Sequence, residues 1–250
     1  MQPVSTSTPS EGVRCSHYLV QAARPIPFVV LAPQTIREAT PVVLTQHGGG
    51  GHKLAVEVMD LVDRFVVGHG WSVVAMDGPV HGDRRKDRHE DRPHVQGEFL
   101  AMWRAGGDHV EEMVQDWTRV IDELEGMAGL RADALHWVGV SMGTAYGLPL
   151  LAVERRIRSA LIGMWGLSYP RSEVLGEAAA RVECPVMFQQ KWDDDIFSRD
   201  GQIELFDLIG CADKRLNVYP GKHVPVKGEQ LDDIEQFILR RHAQAGNAAS

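Results

Sequence analysis

The chain has 250 residues, a formal net charge of -8, and 44% hydrophobic and 24% charged residues. That length suits one compact α/β domain with an excursion or two, and the composition is ordinary for a soluble globular protein. The negative balance argues against a general nucleic-acid binder, because a phosphate backbone would repel it. No apolar run reaches the roughly 18 residues a membrane span needs, so no membrane partner is expected.

The first dozen residues are polar and rich in Ser, Thr and Pro. They read as a loose end without the basic-then-apolar order of a signal peptide. Strands are expected at 13–20, 27–31 and 41–46, then a helix at 53–67 and a strand at 72–76. Roughly thirty residues follow before the next helix at 110–125, too many for an ordinary connection. In this stretch, residues 81–95 carry five basic and four acidic side chains, and Phe99, Met102 and Trp103 come after them. Residues 80–107 are expected to fold as a small cap over a cleft, or else as a solvated loop with a short helix. Further strands are expected at 135–140, 160–164, 186–190 and 216–219, with helices at 144–153, 200–209 and 230–241. In the last helix Leu231, Ile234, Phe237 and Ile238 share one face. Residues 243–250 read as a second loose end.

Strands alternating with helices imply an α/β fold: a mostly parallel eight-stranded sheet with helices on both faces. Any ligand would sit outside the carboxyl ends of the strands. Cys15, Cys184 and Cys211 are odd in number and lack C-x-x-C spacing. Neither a disulfide framework nor a zinc knuckle is expected, and a reducing, cytoplasmic setting fits. Nothing separates an interface helix from a surface one, so a homo-oligomer stays open.

Gly139-Val140-Ser141-Met142-Gly143 reads G-x-S-x-G and joins an expected strand to an expected helix. A sharp strand-to-helix turn exposes the serine hydroxyl at the end of the sheet, and its glycines let the two elements approach. Such a serine needs a base within hydrogen-bond reach, an anion to orient the base, and donors for the oxyanion. Of eleven histidines, His223 follows the last expected strand in a Pro-Gly loop and is the candidate base. His47 and His52 flank a glycine run and read as structural; His136 lies within a strand; His17, His69 and His242 occupy generic positions. Asp193, Asp194 and Asp195 follow the strand at 186–190, and spacing favours Asp194 as the acid. Asp200 is a helix-cap candidate. His47-Gly48-Gly49-Gly50-Gly51-His52 exposes backbone N–H groups after a strand, which makes Gly49 and Gly50 candidate oxyanion donors together with the N–H of Met142. The run lacks the Gly-Lys-Ser/Thr ending of a phosphate loop, and no dinucleotide fingerprint is present.

His81, Asp83, Asp87, His89, Glu90, Asp91 and His94 crowd one segment, but the interleaved Arg and Lys residues oppose a cation and no metal-ligand spacing appears. A salt-bridged surface is expected, with no metal. Arg84, Arg85, Arg88 or Arg92 could meet a substrate carboxylate at the cleft rim. Trp103, Trp165 and Trp192 are candidates to line the substrate pocket, with plain core packing as the competing reading.

The order Ser141, Asp194, His223, with a His-Gly-Gly loop after an early strand, resembles the α/β-hydrolase superfamily over nearly the whole chain. Asp77-Gly78-Pro79-Val80-His81-Gly82-Asp83-Arg84 is similar to the Asp-x-Pro-x-His-Gly-x-Arg stretch of its dienelactone hydrolase and acyl-peptidase-like branches. The resemblance implies nucleophile, acid and base at Ser141, Asp194 and His223, and oxyanion donors at Gly49 (or Gly48 or Gly50) and Met142. Dienelactone hydrolases proper use a cysteine nucleophile, and serine here moves the expectation from lactone chemistry towards general ester hydrolysis. Lys191 stands where the family usually has a glycine in the turn before the acid. The expected function is a serine hydrolase that cleaves a small-molecule carboxylic ester and needs no cofactor. Thioester, lactone and peptide substrates are variants of it. The competing class is a non-hydrolytic protein of the same fold: an acyltransferase, a lyase or a ligand-binding protein.

Overall fold

The computed structural model describes residues 1–36, 38–87 and 91–248, so expectations placed on Arg88, His89 and Glu90 lie outside the described residues. Nine strands join in one sheet: β1 (Ser5–Ser10), β2 (Val13–Val20), β3 (Ile26–Pro33), β4 (Thr40–Gln46), β5 (Ser72–Met76), β6 (Leu130–Val138), β7 (Ile157–Gly163), β8 (Val186–Lys191) and β9 (Lys214–Tyr219). Their spatial order is β1-β2-β3-β5-β4-β6-β7-β8-β9. The pairs β1–β2, β2–β3 and β3–β5 are antiparallel, and every pair from β5 through β4 to β9 is parallel. The carboxyl ends of the six parallel strands therefore lie along one edge.

The central strands are apolar on both faces because helices cover both, as a parallel sheet requires. Successive residues point to opposite sides, which splits the core in two. Phe28, Val30, Leu44, Val74, Trp137, Ile162 and Phe188 pack beneath α2 (Arg92–Ala105), α3 (His109–Glu125), α4 (Met142–Leu151), α5 (Glu173–Ala179) and α6 (Arg199–Leu208). Val29, Leu31, Val43, Val73, Leu161 and Met187 pack beneath α1 (Val56–Leu61), its π-helical continuation Val62–Val67, and α7 (Glu229–Ala248). Each such side chain contributes about 1.5–3 kcal/mol by burial. In α3 the buried Met113, Trp117, Val120, Ile121 and Leu124 recur at three- and four-residue steps, the stripe that seats it on the sheet.

Several elements differ from the sequence reading. The sheet has nine strands rather than eight, because residues 5–10 form an edge strand where a loose end was expected. β1 is polar and exposed and is held by its backbone register with β2, Ser5 opposite His17 and Ser7 opposite Cys15. The later part of the long connection folds as α2, whose N-cap Asp91 accepts the His94 N–H and whose second residue is Pro93. Its buried stripe is Val95, Phe99 and Trp103. α5 was not anticipated; seven residues are too few to show a helical period. α7 runs to Ala248, beyond the expected end at 241 and into the segment read as a loose end. The helix expected from Lys53 begins at Val56, and Lys53 itself is buried in the preceding turn. Asp200 lies in the first turn of α6, which Ser198 caps by accepting the Gly201 N–H.

Candidate active site

β6 ends at Val138, and Gly139 and Val140 lead to Ser141, from which α4 starts at Met142. Ser141 has φ 57° and ψ -120°, a conformation a non-glycine residue holds only where its surroundings impose it. Its N–H donates to the Gly163 carbonyl at the end of β7 (2.8 Å). Close approach explains the flanking glycines. A Cβ on Gly139 would lie 2.9 Å from the Gly143 Cα, and one on Gly143 would lie 2.8 Å from the Gln46 carbonyl.

His223, in the loop after β9, reaches Ser141: Nε2 lies 2.9 Å from the hydroxyl oxygen. Its Nδ1 lies 2.9 Å from Asp194 Oδ2, in the loop after β8. One neutral tautomer serves both contacts, with Nδ1–H donating to Asp194 and Nε2 accepting from Ser141. Asp194 Oδ1 also accepts the N–H groups of Ile196 and Phe197 (both 2.9 Å), and Oδ2 accepts Gln202 Nε2–H (3.2 Å). Asp195 instead accepts the His223 backbone N–H (3.2 Å) and pairs with Lys222, and Asp193 is exposed. Lys191 ends β8 opposite Tyr219 with no positive φ, so this turn does not need the family's glycine.

The glycine run rests on two buried imidazoles. His47 Nδ1 is 2.8 Å from the Gly48 carbonyl while its Nε2 accepts the Gly78 N–H, and His81 Nε2 is 2.8 Å from the Gly49 carbonyl. Burial lowers His47 to about 4 and His81 to about 3, so both stay neutral. Beneath them Asp77 accepts the Lys53 N–H (2.9 Å), the Lys53 ammonium (2.5 Å) and the Asp83 N–H (2.9 Å). Burial acts to raise the Asp77 carboxyl, and the Lys53 charge together with these donors brings it below the usual carboxylate range. Among the described residues, the N–H groups of Gly49, Gly50 and Met142 have no protein acceptor.

A cavity of about 180 Å3 opens beside Ser141 and His223. Gly48, Gly49 and Gly50 line it, with Glu57, Arg92 and Gln96 as polar and Val140, Met164 and Val226 as apolar neighbours. α2 packs against the outside of the loop. A Cβ on Gly49 would lie 2.9 Å from the Phe99 ring, and one on Gly50 would lie 2.7 Å from the Arg92 carbonyl.

The three tryptophans do not line this cavity. Trp103 and Trp165 are core residues whose indole N–H groups donate to the Pro170 carbonyl and the Ser172 hydroxyl, and Trp192 is half exposed beneath the Arg199 guanidinium. Among the arginines, Arg84 is committed to Asp116, and Arg85 to Asp87 and Glu98. Arg92 reaches the cavity, paired with Glu57 (3.1 and 3.3 Å). Asp87, His94 and Glu98 bring possible ligand atoms within 4.8 Å of one another, but the Arg85 guanidinium already supplies the cation for both carboxylates.

Glu57, His81 and Gln202 are site neighbours that sequence reasoning did not assign a role, while His47 holds the structural place read for it. The Asp-x-Pro-x-His-Gly-x-Arg stretch was the one available signal, and it pointed at His81.

A serine on a strained strand-to-helix turn, with an aspartate and a histidine in the loops after later strands of a parallel sheet, is the arrangement of an α/β-hydrolase fold. The chain is similar to a cold-adapted esterase from an Arctic intertidal metagenomic library, at 30% identity and TM-score 0.80, over 96% of this chain and 99% of that one. It shares its fold with a Klebsiella pneumoniae protein assigned as a dienelactone hydrolase (17% identity, TM-score 0.71, 93% of this chain and 99% of that one). The same holds for an acetyl xylan esterase from Paenibacillus sp. R4 (14% identity, TM-score 0.72, 94% of this chain and 87% of that one). No protein-family model and no curated protein matches the sequence. The chain belongs to the α/β-hydrolase superfamily.

Proposed function

We propose that the protein is a serine esterase that cleaves short-chain carboxylic esters of small molecules through an acyl-enzyme. The observation that carries this reading is the continuous chain Ser141–His223–Asp194, with both links at 2.9 Å, opening onto a cavity lined by Gly48, Gly49 and Gly50. Ser141 attacks the carbonyl as His223 takes its proton, and Asp194 stabilises the imidazolium. The oxyanion is held by Met142 N–H, at the start of α4, and by Gly49 or Gly50 N–H. His223 then protonates the leaving alcohol and activates water for deacylation. This chemistry requires no metal or organic cofactor. The 30% identical esterase supports the substrate class. The cavity, about 180 Å3, is small for a long acyl chain.

In this reading residues 80–107, with α2 at their centre, act as a cap over the site. Free Cys15, Cys184 and Cys211 suit a reducing compartment, the cytoplasm in our proposal. No helix among the described residues is long and apolar enough to cross a membrane.

Hydrolysis of p-nitrophenyl acetate, butyrate, octanoate and laurate by the wild type and by Ser141→Ala tests the reading. Turnover of the two short esters, falling steeply at octanoate and lost in Ser141→Ala, is expected. Wild-type inactivity on all four, or activity that survives in Ser141→Ala, would refute it.

A further inference from the structure

The Gly49–Gly50 peptide must be held in one orientation if its N–H is to serve an oxyanion, because an exposed glycine run is otherwise free to rotate its peptides. What holds it is a side chain from a different part of the chain. His81 is fully buried, and its Nε2 lies 2.8 Å from the Gly49 carbonyl. A carbonyl only accepts, so the imidazole carries its proton on Nε2 and donates it. His81 Nδ1 is buried without a partner, so the ring makes this one bond and no other among the described residues. In a trans peptide the N–H points opposite to the C=O. Drawing the Gly49 carbonyl down to His81 therefore turns the Gly50 N–H away from the imidazole. That N–H has no protein acceptor among the described residues, and Gly50 lines the cavity that holds Ser141 and His223. His47 treats the preceding peptide in the same way through the Gly48 carbonyl, with the two rings 4.7 Å apart edge to face.

The anchoring of His81 accounts for the residues around it. Asp77 ties the turn that carries His81 to Lys53, the second residue after the glycine run, through the Lys53 N–H, the Lys53 ammonium and the Asp83 N–H. Gly78 must lack a side chain, since a Cβ there would lie 2.7 Å from His81 Nδ1. Gly82 sits at φ +50°, where a Cβ would collide with the Asp77 carboxylate. The turn and the loop are thus fixed to each other on both sides of the imidazole. On its outer face the same loop is pressed by Phe99 and the Arg92 carbonyl of α2.

We infer that His81 is a positioning residue for the oxyanion site: by donating Nε2–H to the Gly49 carbonyl, it keeps the Gly50 N–H available to the developing oxyanion. The inference rests on the serine-esterase reading and names Gly50 as the loop donor. It assigns His81 no contact with substrate. Its loss costs transition-state stabilisation and leaves ground-state binding largely intact.

The test compares His81→Leu, His81→Asn and His81→Gln on p-nitrophenyl acetate. Inhibition by a trifluoromethyl ketone, which forms a tetrahedral adduct with a serine, is measured in parallel. Gln can place an N–H where Nε2 stood, Asn is too short, and Leu fills the space without a donor. His81→Leu and His81→Asn are expected to lose about tenfold or more in kcat with KM within about threefold, since direct removal of such a donor costs roughly 100–1000-fold. Ketone affinity should fall in parallel, and His81→Gln should recover most of both. His81→Leu within about twofold of wild-type kcat, or His81→Gln as impaired as His81→Asn, would overturn the inference. If His81→Leu does not fold, the Gln–Asn comparison decides alone. A wild type that neither turns over the ester nor binds the ketone would refute the esterase reading itself; an active wild type with an unaltered His81→Leu refutes only the role of His81.

Discussion

Asp194 is the most heavily bonded side chain of the site: its two oxygens accept from Ile196, Phe197, Gln202 and His223. Gln202 is fully buried, and its amide spans from Asp194 to the Phe197 carbonyl (3.0 Å), so it steadies the carboxylate and the loop together. Gln202→Leu should lower kcat by about three- to tenfold with little change in KM, because one donor to the carboxylate is lost while the backbone donors remain. Asp194→Asn should cost about 10,000-fold in kcat, since the amide favours the wrong tautomer of His223. Steady-state kinetics on a short ester check both, and equal losses in the two variants would contradict this division of labour. At this scale the sequence was legible wherever a residue's role follows from its place after a strand. Ser141, Asp194 and His223 follow the carboxyl ends of β6, β8 and β9. Gln202 sits on a helix with no motif of its own, and its partner lies eight residues upstream. Trp103, Trp165 and Trp192 stayed open between pocket and core because an aromatic near a strand end faces either the core or the cleft, and spacing does not say which.

α2 is the element that most shapes the cavity. Its first turn brings Arg92 to Glu57 and Gln96 to the cavity wall, and its buried stripe carries Phe99 against the glycine loop. The Arg92–Glu57 pair is partly exposed, and such pairs stabilise a fold by less than about 1 kcal/mol. Arg92→Ala should therefore leave the melting temperature nearly unchanged while widening the cavity. Expected is a severalfold rise in the ratio of butyrate to acetate kcat/KM; an unchanged ratio would mean that α2 does not set the acyl pocket. The sequence announced an insertion by its length and by the run of Phe99, Met102 and Trp103, but spacing did not decide between a cap and a loop with a short helix. β1 was illegible for a related reason. A polar edge strand is defined by backbone hydrogen bonds to β2, which leave no period in the side chains.

Across the whole molecule, the alternation of strands and helices made the α/β class and the ligand-bearing edge legible. The placing of β5 between β3 and β4 was not, since non-local pairing leaves no local mark. The core also stores an acid sensitivity. Burial lowers His47 to about 4, and His81 and His136 to about 3. The unfolded chain binds protons at all three below about pH 6.5 and the folded one does not, so stability is full above that value and falls as pH drops towards 4. Each imidazole contributes up to about 1.4 kcal/mol per pH unit in that window. Asp77, whose carboxyl is lowered in the fold, adds a loss below about pH 4. Calorimetry across this range should show a continuous fall in melting temperature starting near pH 6.5. A flat profile between about pH 7 and 5 would show that these histidines charge without penalty.

Everything proposed for the site depends on an activated Ser141 hydroxyl. The decisive measurement is the intact mass and peptide map of the protein after treatment with a fluorophosphonate. One adduct per chain, located on Ser141 and lost in His223→Ala, is expected. No adduct, or one located on another residue, would contradict the assignment of Ser141 and His223 and, with it, the esterase function.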